Sequence, residues 1–170
     1  LPSQSILTKL DPDICSLVPH GCDDLLFLVA GYSNNLNVTR LPVYVSETPA
    51  GTSVKNMGHW SQGVTSAKFQ MYDYGCGIFS CENEKHYGQK TPPQYPLANI
   101  TVPTSLYSGG DDDLGDPTDV QHLIRELPAS TLVSAAQQPN FAHLDFTWGE
   151  DANRYVYADL MQRIRTALGT

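Results

Sequence analysis

Residues 100–134 read ITVPTSLYSGGDDDLGDPTDVQHLIRELPASTLVS, and this stretch decides the fold. Ile100 to Ser108 is rich in β-branched residues and stops at Gly109-Gly110, which predicts a strand; Pro103 inside it is a mild objection. Asp116-Pro117-Thr118-Asp119 is a helix start, with Asp116 as N-cap, Pro117 at the first helical position and Asp119 in the first turn. Val120, Leu123, Ile124 and Leu127 then recur on one helical face, and Pro128 stops the helix. Thr131 to Ser134 predicts a second short strand. A strand, a helix and a strand in close succession imply a parallel pair joined by a right-handed crossover.

Parallel strands end on the same edge of a sheet, and active sites of open α/β sheets lie outside those carboxyl ends. Asp112 follows the first strand and His143 follows the second, so two residues 31 positions apart are expected to be neighbours. A last helix is expected from near Asp151, with Tyr157, Leu160, Met161, Ile164 and Leu168 as its apolar stripe. Upstream the signals are weaker. Leu25 to Ala30 is a compact apolar run, Pro42 to Val45 suits extended chain, residues 52–70 suit a helix, and Gly75 to Tyr95 reads as loop.

An acid followed by a histidine matches the last two places of the order Ser, Asp or Glu, His found in α/β-hydrolase triads. Serine is a weak nucleophile at neutral pH; it needs a histidine to take its proton and an acid to orient that histidine. Competing readings are a solvated acidic turn at Asp111-Asp112-Asp113 and a structural histidine beside Leu144 and Phe146. A calcium loop is excluded, because the acids lack the spacing and the terminal Glu of an EF-hand. The candidate nucleophile by motif is Ser61, in His59-Trp60-Ser61-Gln62-Gly63. Here His59 stands where the nucleophile elbow needs a small residue, and residues 53–58 do not read as a buried strand, which argues against Ser61.

The chain has 170 residues, 41% hydrophobic and 16% charged, which describes a globular domain and not a disordered one. A net charge of −8 argues against nucleic acid as a partner. No apolar run approaches a membrane span, and neither repeats nor low-complexity tracts occur. Four cysteines form two close pairs, Cys15 with Cys22 and Cys76 with Cys81. Each spacing can close a small disulfide loop; free thiols, or a metal site at Cys76, Cys81 and His86, are the alternatives, the last lacking an evident fourth ligand. Sequons at Asn37-Val38-Thr39 and Asn99-Ile100-Thr101, with the paired cysteines, point to the secretory pathway. The chain opens at Leu1-Pro2-Ser3 with no initiator methionine, so processing from a precursor is expected.

Many ordered stretches together resemble the acid lipases, the group of gastric and lysosomal acid lipase. They include Asn37-Val38-Thr39-Arg40, Pro49-Ala50-Gly51-Thr52-Ser53-Val54, His59-Trp60-Ser61-Gln62, Ser108-Gly109-Gly110, Asp116-Pro117, and His143-Leu144-Asp145-Phe146 with Trp148-Gly149. The resemblance implies an α/β-hydrolase fold in which residues 1–99 are part of the cap or lid and residues 100–170 are the C-terminal part of the mostly parallel core. It implies a lipase acting on triacylglycerols or sterol esters at a lipid–water interface, secreted or lysosomal, with no cofactor and no metal. The triad acid and base fall on Asp112 and His143, though Asp111 and Asp113 are equally acidic neighbours. The Cys15/Cys22 pair matches a family disulfide position, while Cys76 and Cys81 have no family counterpart. Ser61 falls in the family's cap. The nucleophile serine belongs to an N-terminal portion outside this chain, expected to complete the fold as a partner chain. A lipase-like binding, storage or structural protein without turnover is the alternative.

Overall fold

A computed structural model describes residues 30–48 and 51–169. The described chain forms two compact units, one of residues 51–97 and one of residues 30–48 with 98–169. Residues 30–48 cluster with residues 98–169.

In the second unit, β1 (Thr104–Gly109) pairs in parallel with β2 (Leu132–Gln138), and the helix Pro117–Glu126 connects them. The register runs from Ser105 opposite Ser134 to Gly109 opposite Gln138, with an irregularity between Thr104 and Ser105. β1 starts after Pro103, whose missing N–H cannot join a ladder; Thr104 makes the first bond, donating to the Thr131 carbonyl. The helix begins where its caps dictate: the Asp116 carboxylate accepts from the N–H of Thr118 at 2.7 Å and of Asp119 at 3.4 Å. β2 runs four residues beyond the expected Ser134, because Ala135 to Gln138 find partners in Leu106 to Gly109 of β1.

After β2 come a one-turn helix, Asp145–Trp148, a π-helical turn, Asn153–Tyr157, and the helix Ala158–Leu168. The core gathers Ala30, Leu36, Leu41, Leu127, Phe141, Ala142, Ala152 and Val156. Phe141 meets Phe146 and Tyr155 edge-on, at centroid distances of 5.5 and 6.2 Å. Residues 42–45, expected to be extended, are helical within Leu41–Glu47. Pro42 occupies the first turn, where its fixed φ suits a helix and its missing N–H costs nothing. That helix docks by stacking Tyr44 on Trp148. The run from Leu25 lies outside the described residues except for Ala30, which is buried.

The predicted apolar stripe of the last helix is present but stays open, with Tyr157, Met161, Ile164 and Leu168 all exposed. The helix is tied to β1 by a hydrogen bond from the Tyr107 hydroxyl to Asp159 Oδ2 at 2.6 Å, an oxygen that also accepts from Arg163 Nε of the same helix at 2.6 Å. Arg163 first, and Tyr107 second, hold the Asp159 carboxyl below its ordinary value of 3.8. A group with a lowered folded value stabilises above its unfolded value, and that contribution disappears as pH falls through the folded one. Asp159→Asn is therefore expected to lower the melting temperature at neutral pH and to leave it unchanged well below pH 3.8, a convergence that thermal scans across pH would reveal.

In the first unit the helix Val54–Ser66 starts at the Ser53 hydroxyl, which accepts from the Asn56 N–H, and ends at Ala67 in the left-handed region. Its Gln62 side chain exchanges two 2.8 Å bonds with the backbone of Asp73. Buried Asn83 accepts from the Tyr74 N–H and donates to Asp73 and to the Lys90 carbonyl, which gathers the chain around it. Asn83 is the second residue of a short helix, Glu82–Tyr87, inside a stretch expected to be loop. Among the described residues no helix is long and apolar enough to cross a membrane.

Candidate active site

Asp112 and His143 meet on the edge where both strands end. His143 Nδ1 lies 3.2 Å from each carboxylate oxygen of Asp112. The Asp112 side chain is 7% exposed and that of His143 47% exposed, so the acid is enclosed and the base faces outward. Asp112 Oδ1 also accepts from the N–H of Leu114 at 2.9 Å and of Gly115 at 2.7 Å. Two backbone donors and one ring nitrogen thus fix the carboxylate in a single orientation. Asp111 and Asp113 are exposed. Of the three acids the sequence left open, the geometry brings Asp112 to the histidine.

The approach depends on glycines. A Cβ at Gly109 would sit 2.1 Å from the Phe141 carbonyl oxygen, and one at Gly110 would sit 2.2 Å from that of Pro139. These bare positions let the loop after β1 lie against the loop after β2. Gly110 then donates to the Gln138 carbonyl at 2.9 Å and Asp111 to the Phe141 carbonyl at 3.1 Å.

The histidine loop has its own support, which sequence reasoning did not pick out. Asp145, fully buried, accepts from the Ala142 N–H at 2.7 Å and from the Ser33 hydroxyl at 2.5 Å. Ser33 in turn accepts from the Asn35 N–H. The His143 N–H donates to the Ala30 carbonyl at 3.0 Å. Residues 30–35 therefore brace the backbone on both sides of His143. An acid two residues after a candidate histidine was the available signal, but its partner Ser33 lies over a hundred residues away.

Among the described residues His143 Nε2 has no hydrogen-bond partner. An imidazole oriented at Nδ1 by a carboxylate, with Nε2 open, can accept a proton from a nucleophile and return it to a leaving group. Ser61 stands in the middle of the helix Val54–Ser66, with its carbonyl accepting from Thr65. That is continuous helix, not the sharp strand-to-helix turn that presents a nucleophile.

Cys76 and Cys81 are joined in a disulfide, which removes the metal reading of that pair; His86 stacks on Tyr74 instead. Cys15 and Cys22 lie outside the described residues. Asn37 is half-buried and accepts from the Thr39 hydroxyl and N–H, while Asn99 is exposed at the end of a 3-10 turn. Among the described residues no cluster of His, Cys, Asp and Glu is arranged to hold a metal ion.

No family model matches the chain. It is 44% identical over 144 residues to human gastric triacylglycerol lipase, a match covering 84% of this chain and 35% of that protein. It is 40% identical over 168 residues to human lysosomal acid lipase/cholesteryl ester hydrolase, covering 97% of this chain and 41% of that one. It is 41% identical over 170 residues to lipase lipl-1 of Caenorhabditis elegans, again covering 97% and 41%. The chain thus spans between about a third and two fifths of the length of these relatives.

Proposed function

Because the chain belongs to the acid lipase family, matching its C-terminal portion, we propose that Asp112 and His143 are the acid and base of a serine-hydrolase triad acting on lipid esters. The observation that carries this reading is the enclosed Asp112 carboxylate held against Nδ1 of an outward-facing His143. In the reaction, Nε2 takes the hydroxyl proton of a serine as its oxygen attacks the ester carbonyl. The imidazolium then gives that proton to the departing alcohol, leaving an acyl-serine. Water repeats the cycle and releases the fatty acid. Asp112 keeps the ring in the orientation that points Nε2 at the reacting atoms and stabilises the imidazolium.

The serine lies in a portion of the enzyme outside residues 1–170, in this reading on an N-terminal chain. That portion also completes an α/β-hydrolase core whose C-terminal elements are residues 100–170, while residues up to about 99 contribute cap or lid. The open apolar stripe of Tyr157, Met161, Ile164 and Leu168, and a sheet of two strands among the described residues, support such completion. The relatives' names suggest triacylglycerols or sterol esters as substrates and a secreted or lysosomal location.

Labelling the complete protein with a fluorophosphonate tests the reading. The adduct is expected on a serine outside this chain, with Ser61→Ala labelled as strongly as the wild type. An adduct on Ser61 would refute the assignment; no adduct at all would favour a lipid-binding protein without turnover.

A further inference from the structure

We propose that the disulfide-closed turn Cys76–Cys81 is an anchor that inserts into an uncharged lipid surface. Its tip, Ile78-Phe79, is the most exposed pair of large apolar side chains among the described residues, at 96% and 101%. Among the described residues these two side chains pack against nothing, and leaving such large apolar surface in water is unfavourable.

The turn is rigid. Cys76 and Cys81 pair across an antiparallel bridge as well as through sulfur, and the Gly77 N–H donates to the Ser80 carbonyl at 2.7 Å. Below it, the N–H groups of Glu82 and Asn83 both donate to the Gly75 carbonyl. Two consequences follow. The tip is held in place before it meets a partner, so little ordering is lost on binding. Some of its backbone polar groups are also already paired, which an apolar medium requires.

Charge selects the occupant. From Gly75 to Cys81 there is no charged side chain, and from Phe69 to Glu84 there is no basic one. A net charge of −8 likewise does not favour attraction to anionic headgroups. Charges appear only at the base of the turn, where Ser80 donates to Glu82 and Glu82 pairs with Lys85. An apolar tip over a wet, charge-paired base fits the boundary between acyl chains and water. The choice of a lipid partner deepens the lipase reading and rests on it.

The test is flotation of the complete enzyme with phosphatidylcholine vesicles. Wild type is expected to bind with a partition coefficient insensitive to salt. The double variant Ile78→Ser, Phe79→Ser is expected to bind about 100-fold more weakly, roughly tenfold for each side chain, while Ile78→Leu with Phe79→Trp restores binding. Hydrolysis of a water-soluble short-chain ester should be unchanged in all of them, which also reports intact folding. Equal partition of wild type and the serine variant overturns the anchor, as does absence of wild-type binding. So does a variant that only loses self-association. Soluble-ester activity without vesicle binding refutes the anchor and leaves the triad standing; tip-dependent binding without any hydrolysis does the reverse.

Discussion

His143→Ala in the complete enzyme is expected to lower kcat for ester hydrolysis by about four to six orders of magnitude while leaving the fold in place. The fold survives because the ring is half exposed, and the hydrogen bond that ties residue 143 to Ala30 uses the backbone N–H, which alanine keeps. The activity does not in the proposed triad, where His143 is the group that moves the proton between nucleophile and leaving group. Asp112→Asn is the sharper companion. Its amide preserves shape but presents a donor or a neutral oxygen to Nδ1, and a loss of about 10⁴ is expected for a ring left without its anionic partner. Asp111→Asn and Asp113→Asn should stay within a few-fold of wild type, since both side chains are exposed and Asp112 alone of the three meets the ring. Steady-state rates on a soluble ester, with melting temperatures as the folding control, check all four. Full activity in a folded His143→Ala protein would remove the triad assignment.

Gly109→Ala is expected to be among the most damaging single methyl groups in the second unit. Its Cβ would meet the Phe141 carbonyl oxygen at 2.1 Å, the Phe141 carbonyl carbon at 3.0 Å and Asp112 Cβ at 3.1 Å. The first two are backbone atoms of the neighbouring loop, so no side chain can swing aside. Relief requires the loops after β1 and β2 to separate, which breaks the bond from Asp111 N–H to the Phe141 carbonyl and draws Asp112 off His143. A cost of roughly 2–4 kcal/mol is expected, with activity falling in step. Gly63→Ala is the natural contrast. It adds the same methyl in open space on the helix Val54–Ser66, where alanine is favoured over glycine by about 1 kcal/mol. Urea titrations should show the two substitutions shifting the midpoint in opposite directions; a neutral Gly109→Ala would mean that the loops are not held at this separation.

Both predictions concern a junction that was partly legible in advance. The parallel pair and its connecting helix could be read from residues 100–134 because their signals are local: Asp116 and Pro117 start the helix, Pro128 ends it, and Gly109-Gly110 closes the strand. The far end of β2 could not be read. Ala135-Ala136-Gln137-Gln138 has little intrinsic strand preference and is extended because β1 lies alongside to receive it. Residues 42–45 failed for a related reason: a proline flanked by β-branched residues suits extended chain as well as a first helical turn, and docking of Tyr44 on Trp148 favours the helix.

The sequence by itself determined that an acid after one parallel strand and a histidine after the next come to one edge, and which family's ordered motifs surround them. Strand direction and crossover connection are enough for that, since they depend on local propensity and chain geometry. Only the tertiary structure decided which of three identical, adjacent aspartates faces the ring. Asp111, Asp112 and Asp113 differ in nothing but position, and burial at the glycine-lined junction with the Phe141 loop singles out one of them. Only the tertiary structure, too, brought Ser33 and Asp145 together beneath His143, because a bond between residues 112 positions apart leaves no periodicity or spacing in the chain to announce it.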